Sequence, residues 1–487
     1  MRPVFRREKK RRREKTPRQK ADSSILLLVY VTVALFLGLM GYVGHFLLVS
    51  REDVINNSYN ARLDNFARTV ERGKILSSNG SVLAVTEQTQ DGSEIRSYPF
   101  GPVFSHVVGY SSRGKTGIEA LGNFYLLTCH VNPLDQMGRA LTGRKNPGDQ
   151  IVTTLDVELQ QAAWDALGDR NGAVAVMEPH TGRVLAMVSK PDFDPNAIGD
   201  QWDLIVSEQG QARLVNRVTQ GLYPPGSAFK IVTLLEYIME HPGDYDQYRF
   251  DCDGQFEYGD YTLGCYHKTA HGSQSLAQAF ANSCNGAFAS LGLELDKKAM
   301  GETAGRLLFN REQPLALAYS QSRFSMGEDA PGWEVLQTSI GQGLTQMTPM
   351  HCLMVTAAIA NGGTLMNPYL IERVETVMGE PVKRFEPTVY GMLMEEDQAR
   401  ILTEMMAGVV EHGTGSAVKS DSYRAAGKTG SAQFETGRES HAWFTGFAPA
   451  ENPRIAVTVM VEEGGSGGQA AAPVARRIFD LYLGREE

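Results

Sequence analysis

Cysteine is scarce in this chain, five among 487 residues. That excludes a small fold stapled by disulfides, which needs cysteine at far higher density. Cys252 and Cys265 bracket a turn-rich stretch, Asp253-Gly254 to Gly259-Asp260, which could bring the two together as a bridge or leave them as free thiols. No Cys/His run has zinc-ligand spacing, so neither a metal nor a cofactor is expected. No internal repeat is evident, which argues against solenoids and propellers. Basic residues are few beyond the first 22 positions: 36 against 53 acidic ones, a net of −17. That is no electrostatic footprint for nucleic acid. Formal charge is missing altogether from Ser23 to Ser50.

The charge-free stretch is the first feature with a clear physical use. Ile25 to Val49 is almost wholly apolar, and about 25 residues at ~1.5 Å rise cover the ~30 Å core of a bilayer. Residues 1–22 carry eleven Lys/Arg and three Asp/Glu. Such a flank stays in the cytoplasm. A cleaved signal peptide is the alternative, but its apolar core is shorter and ends in small residues, unlike Phe46-Leu-Leu-Val-Ser-Arg51. The expected order is a cytoplasmic basic tail (1–22), an uncleaved anchor (23–50) and a large part outside the cell membrane. The tail could bind nucleic acid, but beside this span topology is the simpler reading. Hydrophobic content of 42% and charged content of 21% are those of a globular protein.

Residues 51–155 read as a membrane-proximal module, or pedestal, of short strands and turns. Asn79-Gly80 between Gly73-Lys-Ile-Leu76 and Ser81-Val-Leu-Ala-Val85 is a hairpin signal. Gly109-Tyr-Ser-Ser-Arg-Gly114-Lys115-Thr116 matches a phosphate-binding loop letter for letter. Outside a membrane nucleoside triphosphate is scarce, and no apolar run ending in Asp offers a clear magnesium partner, so a structural turn is expected.

From about residue 156 the pattern changes. Val157 to Leu167 has helical spacing, and Ala173–Met177 and Val184–Val188 form an apolar hairpin around Pro179-His-Thr-Gly182. Helical stretches flank Ser283-Cys284-Asn285, fill 333–360 with a break at Gly341-Gln342-Gly343, and recur at 398–410 and 472–483. Strands are expected at 428–434, 442–447 and 455–461. Strands at both ends with helices between them predict one α+β domain, 156–487, whose sheet is completed by the C-terminal strands.

Tyr223-Pro-Pro-Gly-Ser227-Ala-Phe-Lys230 leads into the apolar run Ile231–Ile238. Ser227 is therefore expected near a helix N-terminus, with Lys230 on the same face three residues on. A serine beside a lysine in a dry pocket suits a nucleophile and its base. Ser-x-x-Lys is weak by itself and recurs at Ser112/Lys115 and Ser416/Lys419. Lys-Thr-Gly and Ser-x-Asn also occur elsewhere, at Lys115 and Ser77. One ordered set combines a helix start, an inter-helix turn and a late strand: Ser227/Lys230, Ser283/Asn285, and Lys428-Thr429-Gly430.

With these motifs the chain resembles the class B penicillin-binding proteins, the monofunctional peptidoglycan transpeptidases, in their short form. Arg72-Gly73, Gly117-x-Glu119, Gly341-Gln342-Gly343 and Thr348-Pro349 extend the resemblance over nearly the whole chain. It implies an α+β penicilloyl-serine transferase domain with an antiparallel sheet and a helical subdomain, preceded by one transmembrane helix and a small mainly-β or α+β pedestal. Ser227 would be acylated by the D-Ala-D-Ala end of a stem peptide, or by β-lactams. Lys230 would be the base, Ser283 the proton relay, and Asn285 the holder of Lys230 and the substrate amide. Lys428 and Thr429 would take the peptide carboxylate, and Gly430 would let substrate approach the strand. Backbone N–H groups of Ser227 and Ser431 would form the oxyanion hole. A neutral Lys230 requires roughly 4–5 kcal/mol of destabilisation of the ammonium, at ~1.36 per pKa unit. A membrane glycosyltransferase and other division or elongation proteins are the implied partners. A D,D-carboxypeptidase or β-lactam hydrolase is one rival, though no residue is clearly committed to a deacylating water. A catalytically minor scaffold is another.

Overall fold

The structure is a computed structural model that describes residues 17–45, 67–207, 212–434 and 437–486. Most of the basic tail (1–16) and the join between anchor and pedestal (46–66) lie outside the described residues. The chain divides into two units, 1–60 and 61–487. In the first, Pro17–His45 is one helix, and its 21-residue stretch Ile25–His45 is long and apolar enough to cross a membrane.

The second unit is built on a five-stranded antiparallel sheet in the order Ala426–Ala432, His441–Ala448, Ile455–Val461, Gly172–Met177, Val184–Lys190. The last strand in sequence closes on the first: Val457 lies opposite Val176. These strands are buried on both faces, which explains why they read as continuous apolar runs rather than alternating ones. On one face Leu159, Ala163 and Leu167 pack with Val174, Val176, Val457, Ile478 and Phe479, joining the helices Val157–Leu167 and Ala472–Leu483 to the sheet. On the other lies Pro349–Ala360, every residue of which is buried. Its Thr356 hydroxyl meets Thr445 at 2.6 Å, which meets Thr458 at 2.6 Å, satisfying three polar groups the sheet would otherwise strand. The break expected at Gly341-Gln342-Gly343 separates two helices, Gly332–Ser339 and Pro349–Ala360, and Gly341 and Gly343 both take positive φ there.

The pedestal sheet has six strands, and two of them are not local. Its order is Pro381–Arg384, Ile371–Glu375, Gln150–Thr153, Ile75–Leu76, Val82–Gln88, Glu94–Ser97. The Asn79-Gly80 hairpin forms, with Ile75 opposite Ala84. The module expected at 51–155 thus receives strands from 371–384. Beside this sheet Glu119, fully buried, is held by Arg72 at 2.6 Å and Arg96 at 2.7 Å. Arg72 also donates to Asn123 at 2.6 Å. The phosphate-loop lookalike is a closed turn. Thr116 N–H donates to Tyr110 O at 3.2 Å, and a Cβ on Gly109 would stand 2.1 Å from Thr116 O.

Candidate active site

Ser227 lies in a 3₁₀ turn, Gly226–Phe229, that runs into the helix Lys230–Glu240. The turn is pinned from two sides. Gly226 N–H donates to Gly341 O at 2.9 Å, and a Cβ on Gly341 would stand 2.1 Å from Gly226 O. From the strand side, a Cβ on Gly430 would meet Pro225 O at 3.0 Å and Ala228 N at 3.2 Å. The glycine expected to admit substrate thus also packs closely against the turn that carries Ser227.

Ser283 sits between the helices Leu276–Ala281 and Asn285–Glu294, as expected, at φ +55°. That left-handed backbone is uncommon for a residue with a Cβ and is the kind of strain functional sites retain. Its oxygens serve both lysines. Lys230 Nζ donates to Ser283 O at 2.7 Å and to Asn285 Oδ1 at 2.8 Å, with Ser283 Oγ at 3.4 Å. Lys428 Nζ donates to Ser283 Oγ at 2.9 Å and to Thr429 O at 3.1 Å. Asn285 is oriented by a bond from its Nδ2 to Gly264 O at 2.9 Å. Lys230 is turned toward the second motif in this resting arrangement. Among the described residues no hydrogen bond joins it to Ser227 Oγ.

Burial pulls the Lys230 ammonium down to about 7, opposed by the Cys284 and Cys265 sulfurs. Burial, and then the Lys230 charge, pull Lys428 well down too. Two dry amines thus compete for one charge. Lys230 bonds a carbonyl and an amide oxygen, and Lys428 bonds a hydroxyl and a carbonyl oxygen.

The three motifs converge on an open cleft of about 470 Å³. Ser227, Ser283, Asn285, Thr429, Gly430 and Ser431 line it. Lys230 and Lys428 are fully buried and lie beneath its floor. Of the residues expected at a peptide carboxylate, Thr429 and Ser431 line the cleft, whereas Lys428 is buried behind it. Sequence reasoning missed Thr414, whose Oγ1 lies 2.5 Å from that of Thr429. The Gly413-Thr414-Gly415 turn after the helix Glu396–His412 was its signal, since a Cβ on Gly413 would stand 2.2 Å from Ala281 O. It also missed Gly467, where a Cβ would meet Gly430 O at 2.5 Å. Cys252 and Cys265 do not form the bridge considered from their spacing; their sulfurs stand 3.7 Å apart as free thiols.

Residues 172–480 match the penicillin-binding protein transpeptidase domain, and 72–151 match the penicillin-binding protein A dimerisation domain. The peptidoglycan D,D-transpeptidase PbpA of Mycolicibacterium smegmatis is 34% identical over 458 residues, 86% of this chain and 90% of that one. The peptidoglycan D,D-transpeptidase MrdA of Acinetobacter baumannii is 29% identical over 450 residues, 80% of this chain and 66% of its own length. Among solved structures, the D,D-transpeptidase domain of a peptidoglycan glycosyltransferase from Eggerthella lenta superposes with a TM-score of 0.78 at 33% identity, covering 86% of this chain and 99% of that one. The ceftriaxone acyl-enzyme of penicillin-binding protein A from M. tuberculosis gives 0.78 at 29% identity, covering 86% and 100%. Taken with the cleft that joins Ser227/Lys230, Ser283/Asn285 and Lys428-Thr429-Gly430, these matches lead to one conclusion: the chain belongs to the penicillin-binding protein transpeptidase family.

Proposed function

We infer that this protein is a serine D,D-transpeptidase that cross-links peptidoglycan stem peptides and is acylated by β-lactams. The observation that carries the reading is the Lys230–Ser283–Lys428 network beside the cleft that holds Ser227. A stem peptide ending in D-Ala-D-Ala places its carboxylate against the Thr429, Ser431 and Thr414 hydroxyls. That anion favours a proton on Lys428 and leaves Lys230 the neutral member of the pair. Lys230 then takes the Ser227 proton as Oγ attacks the penultimate carbonyl carbon. The developing oxyanion lies against the Ser227 and Ser431 backbone N–H groups. The C–N bond breaks, the proton held by Lys230 passes through Ser283 Oγ to the leaving amine, Lys230 is neutral again, and free D-Ala departs. The amine of a second stem attacks the acyl-enzyme, loses its proton by the same route and regenerates Ser227.

Asn285 on this reading holds Lys230 and the substrate amide, and Gly430 lets substrate approach the strand; the Lys230–Asn285 bond and the close packing at Gly430 support these roles. On this reading residues 1–22 are a cytoplasmic tail, 23–50 the anchor, 51–155 the pedestal and 156–487 the catalytic domain on the outer side of the membrane. A membrane glycosyltransferase supplies the strands it joins.

Two measurements test the reading. A labelled penicillin should modify Ser227, located by peptide mass mapping. Incubation with a D-Ala-D-Ala stem peptide, with and without an acceptor amine, should give cross-linked product when the acceptor is present. Hydrolysis alone at every acceptor concentration would assign a carboxypeptidase instead.

A further inference from the structure

We propose that Tyr258, Tyr261 and Trp333 form a carbohydrate subsite beside the cleft, which holds the N-acetylated amino-sugar strand that carries the stem peptide. Gln255–Tyr258 and Tyr261–Gly264 are the two strands of a hairpin, and Tyr258 lies opposite Tyr261, so both rings stand on one face. Phe256 and Leu263 are opposite each other on the same face and are half-buried. A Cβ on Gly286 would stand 3.3 Å from Phe256 Cβ, which seats this end of the hairpin on the helix Asn285–Glu294. The tip is seated on the start of the helix Gly332–Ser339. Tyr258 lies over Gly332, where a Cβ would come 2.2 Å from its Cε1. The Tyr261 and Trp333 rings meet with centroids 6.4 Å apart and planes 30° apart. Rings stacked face to face stand only ~3.5–4 Å apart, so this pair is displaced and each ring keeps open surface. Tyr258 is 44% exposed, Tyr261 50% and Trp333 40%.

Three large rings open to water at one spot mark a surface built to be covered. The chemistry around them selects what covers it. The face of an aromatic ring is negative and attracts the weakly positive C–H bonds on the flat side of a pyranose. Asp260 at the hairpin tip and Glu334 beside Trp333 are carboxylates that accept hydrogen bonds from sugar hydroxyls. A purely apolar partner would leave them desolvated and unpaired. Neither the hairpin 255–264 nor the helix 332–339 carries a Lys or Arg. An anionic ligand such as a phosphate or a lipid headgroup is therefore disfavoured, whereas a neutral, hydroxyl-rich one fits.

The patch is continuous with the cleft. The strand Tyr261–Gly264 begins at the rings and ends at the second motif, where Gly264 O accepts from Asn285 Nδ2 at 2.9 Å. Two residues further on, Tyr266 is exposed and lines the cleft. From Tyr261 to Gly264 the strand rises ~10 Å. In a stem whose penultimate carbonyl lies at Ser227, about three residues separate the reacting D-Ala from the sugar, again ~10 Å when extended. The spacing of patch and cleft thus matches the length of the substrate. The subsite rests on the transpeptidase reading and extends it from peptide to glycan: binding energy from the remote sugar positions the stem for Ser227.

The test uses the full chain in detergent with two donors: a free stem peptide ending in D-Ala-D-Ala, and the same peptide on a disaccharide of N-acetylated amino sugars. The parent should favour the disaccharide form by about tenfold or more in kcat/KM. Tyr261→Ala and Trp333→Ala should each reduce that preference to about twofold or less. Trp333→Phe, which keeps an aromatic face, should retain most of it, and Met378→Ala, exposed in the pedestal, should leave it intact. The preference is a ratio within one protein, so a loss of folded material does not imitate its collapse. Binding without turnover is read separately. A tetramer of N-acetylglucosamine should change the tryptophan fluorescence saturably, and Trp333→Phe, which removes the reporter, should abolish the change. Equal turnover of both donors by the parent, a preference that survives both alanine variants, or no saturable signal from Trp333 would overturn the subsite. A positive titration with no turnover of either donor would keep the subsite and overturn the transpeptidase reading instead.

Discussion

Lys428 Nζ donates to Ser283 Oγ at 2.9 Å, a bond that spans 145 residues and ties the late strand to the turn between two helices. The same hydroxyl lies 3.4 Å from Lys230 Nζ. Ser283 is therefore the group through which both buried amines communicate. Ser283→Ala should lower the rate constant for acylation by labelled penicillin by ~10²–10⁴, the range for loss of a proton-transfer group. An alanine variant that acylates at the parental rate would remove Ser283 from the relay.

Lys230→Met separates function from stability. The ammonium is fully buried, and its fall from 10.5 to about 7 corresponds to a cost of about 4–5 kcal/mol, at ~1.36 per unit. Methionine removes that cost but leaves Ser283 O and Asn285 Oδ1 without their donor, at ~1–3 kcal/mol each. The two effects offset, so the urea midpoint should change little while acylation falls at least ~10³-fold. A variant that folds and still acylates would eliminate Lys230 as the base.

The acylation rate should fall on the acid side of about 7, where Lys230 gains its proton. The charged or titratable groups facing it are Lys428, Cys284 and Cys265. Its contribution to stability has the opposite sign to that of a paired carboxylate. The penalty is complete below about 7 and is relieved as pH rises from there toward 10.5, because the unfolded chain then binds the extra proton. A pH–rate profile of the full chain with a neutral acylating substrate checks the kinetic limb. A flat profile between pH 5 and 8 would show that the base is not a lysine titrating near 7.

Gly341 takes φ +73°, and a Cβ there would stand 2.1 Å from Gly226 O. Gly341→Ala must therefore push the turn that carries Ser227. Acylation should drop by at least an order of magnitude, with a modest loss of stability, ~1–3 kcal/mol. Parental acylation in this variant would mean that the turn tolerates the displacement.

Glu119→Ala leaves Arg72 and Arg96 buried without their counter-charge. Breaking a buried pair from one side costs ~3–5 kcal/mol. The urea midpoint should fall accordingly, while the acylation rate of the folded fraction stays parental. A change below 1 kcal/mol would show that solvent reaches the two guanidinium groups.

Local features of this protein are legible in its residue pattern. The Asn79-Gly80 hairpin, the helices around Ser283 and the uninterrupted apolar strands follow from turn chemistry and periodicity, which act over a few residues. Ser227/Lys230 and Ser283/Asn285 announce the chemistry because each sits at a helix start, where few residue types fit, and Lys428-Thr429-Gly430 is legible as a polar break within an otherwise apolar strand.

The elements and the reacting groups are thus written in the order of residues alone. Their assembly is not, since it depends on contacts between segments with no local relationship. The borrowed strands 371–384, the shutting of Lys428 beneath the cleft and the packing of Gly430 against Pro225 all arise from long-range closure. The cysteines are the sharpest case. Cys252, Cys265, His271 and Cys284 are separated by intervals that match no compact ligand motif, and their donor atoms meet only because two small strand pairs and a helix cap fold back on one another. Periodicity carries no information about such a meeting point, which exists only in three dimensions.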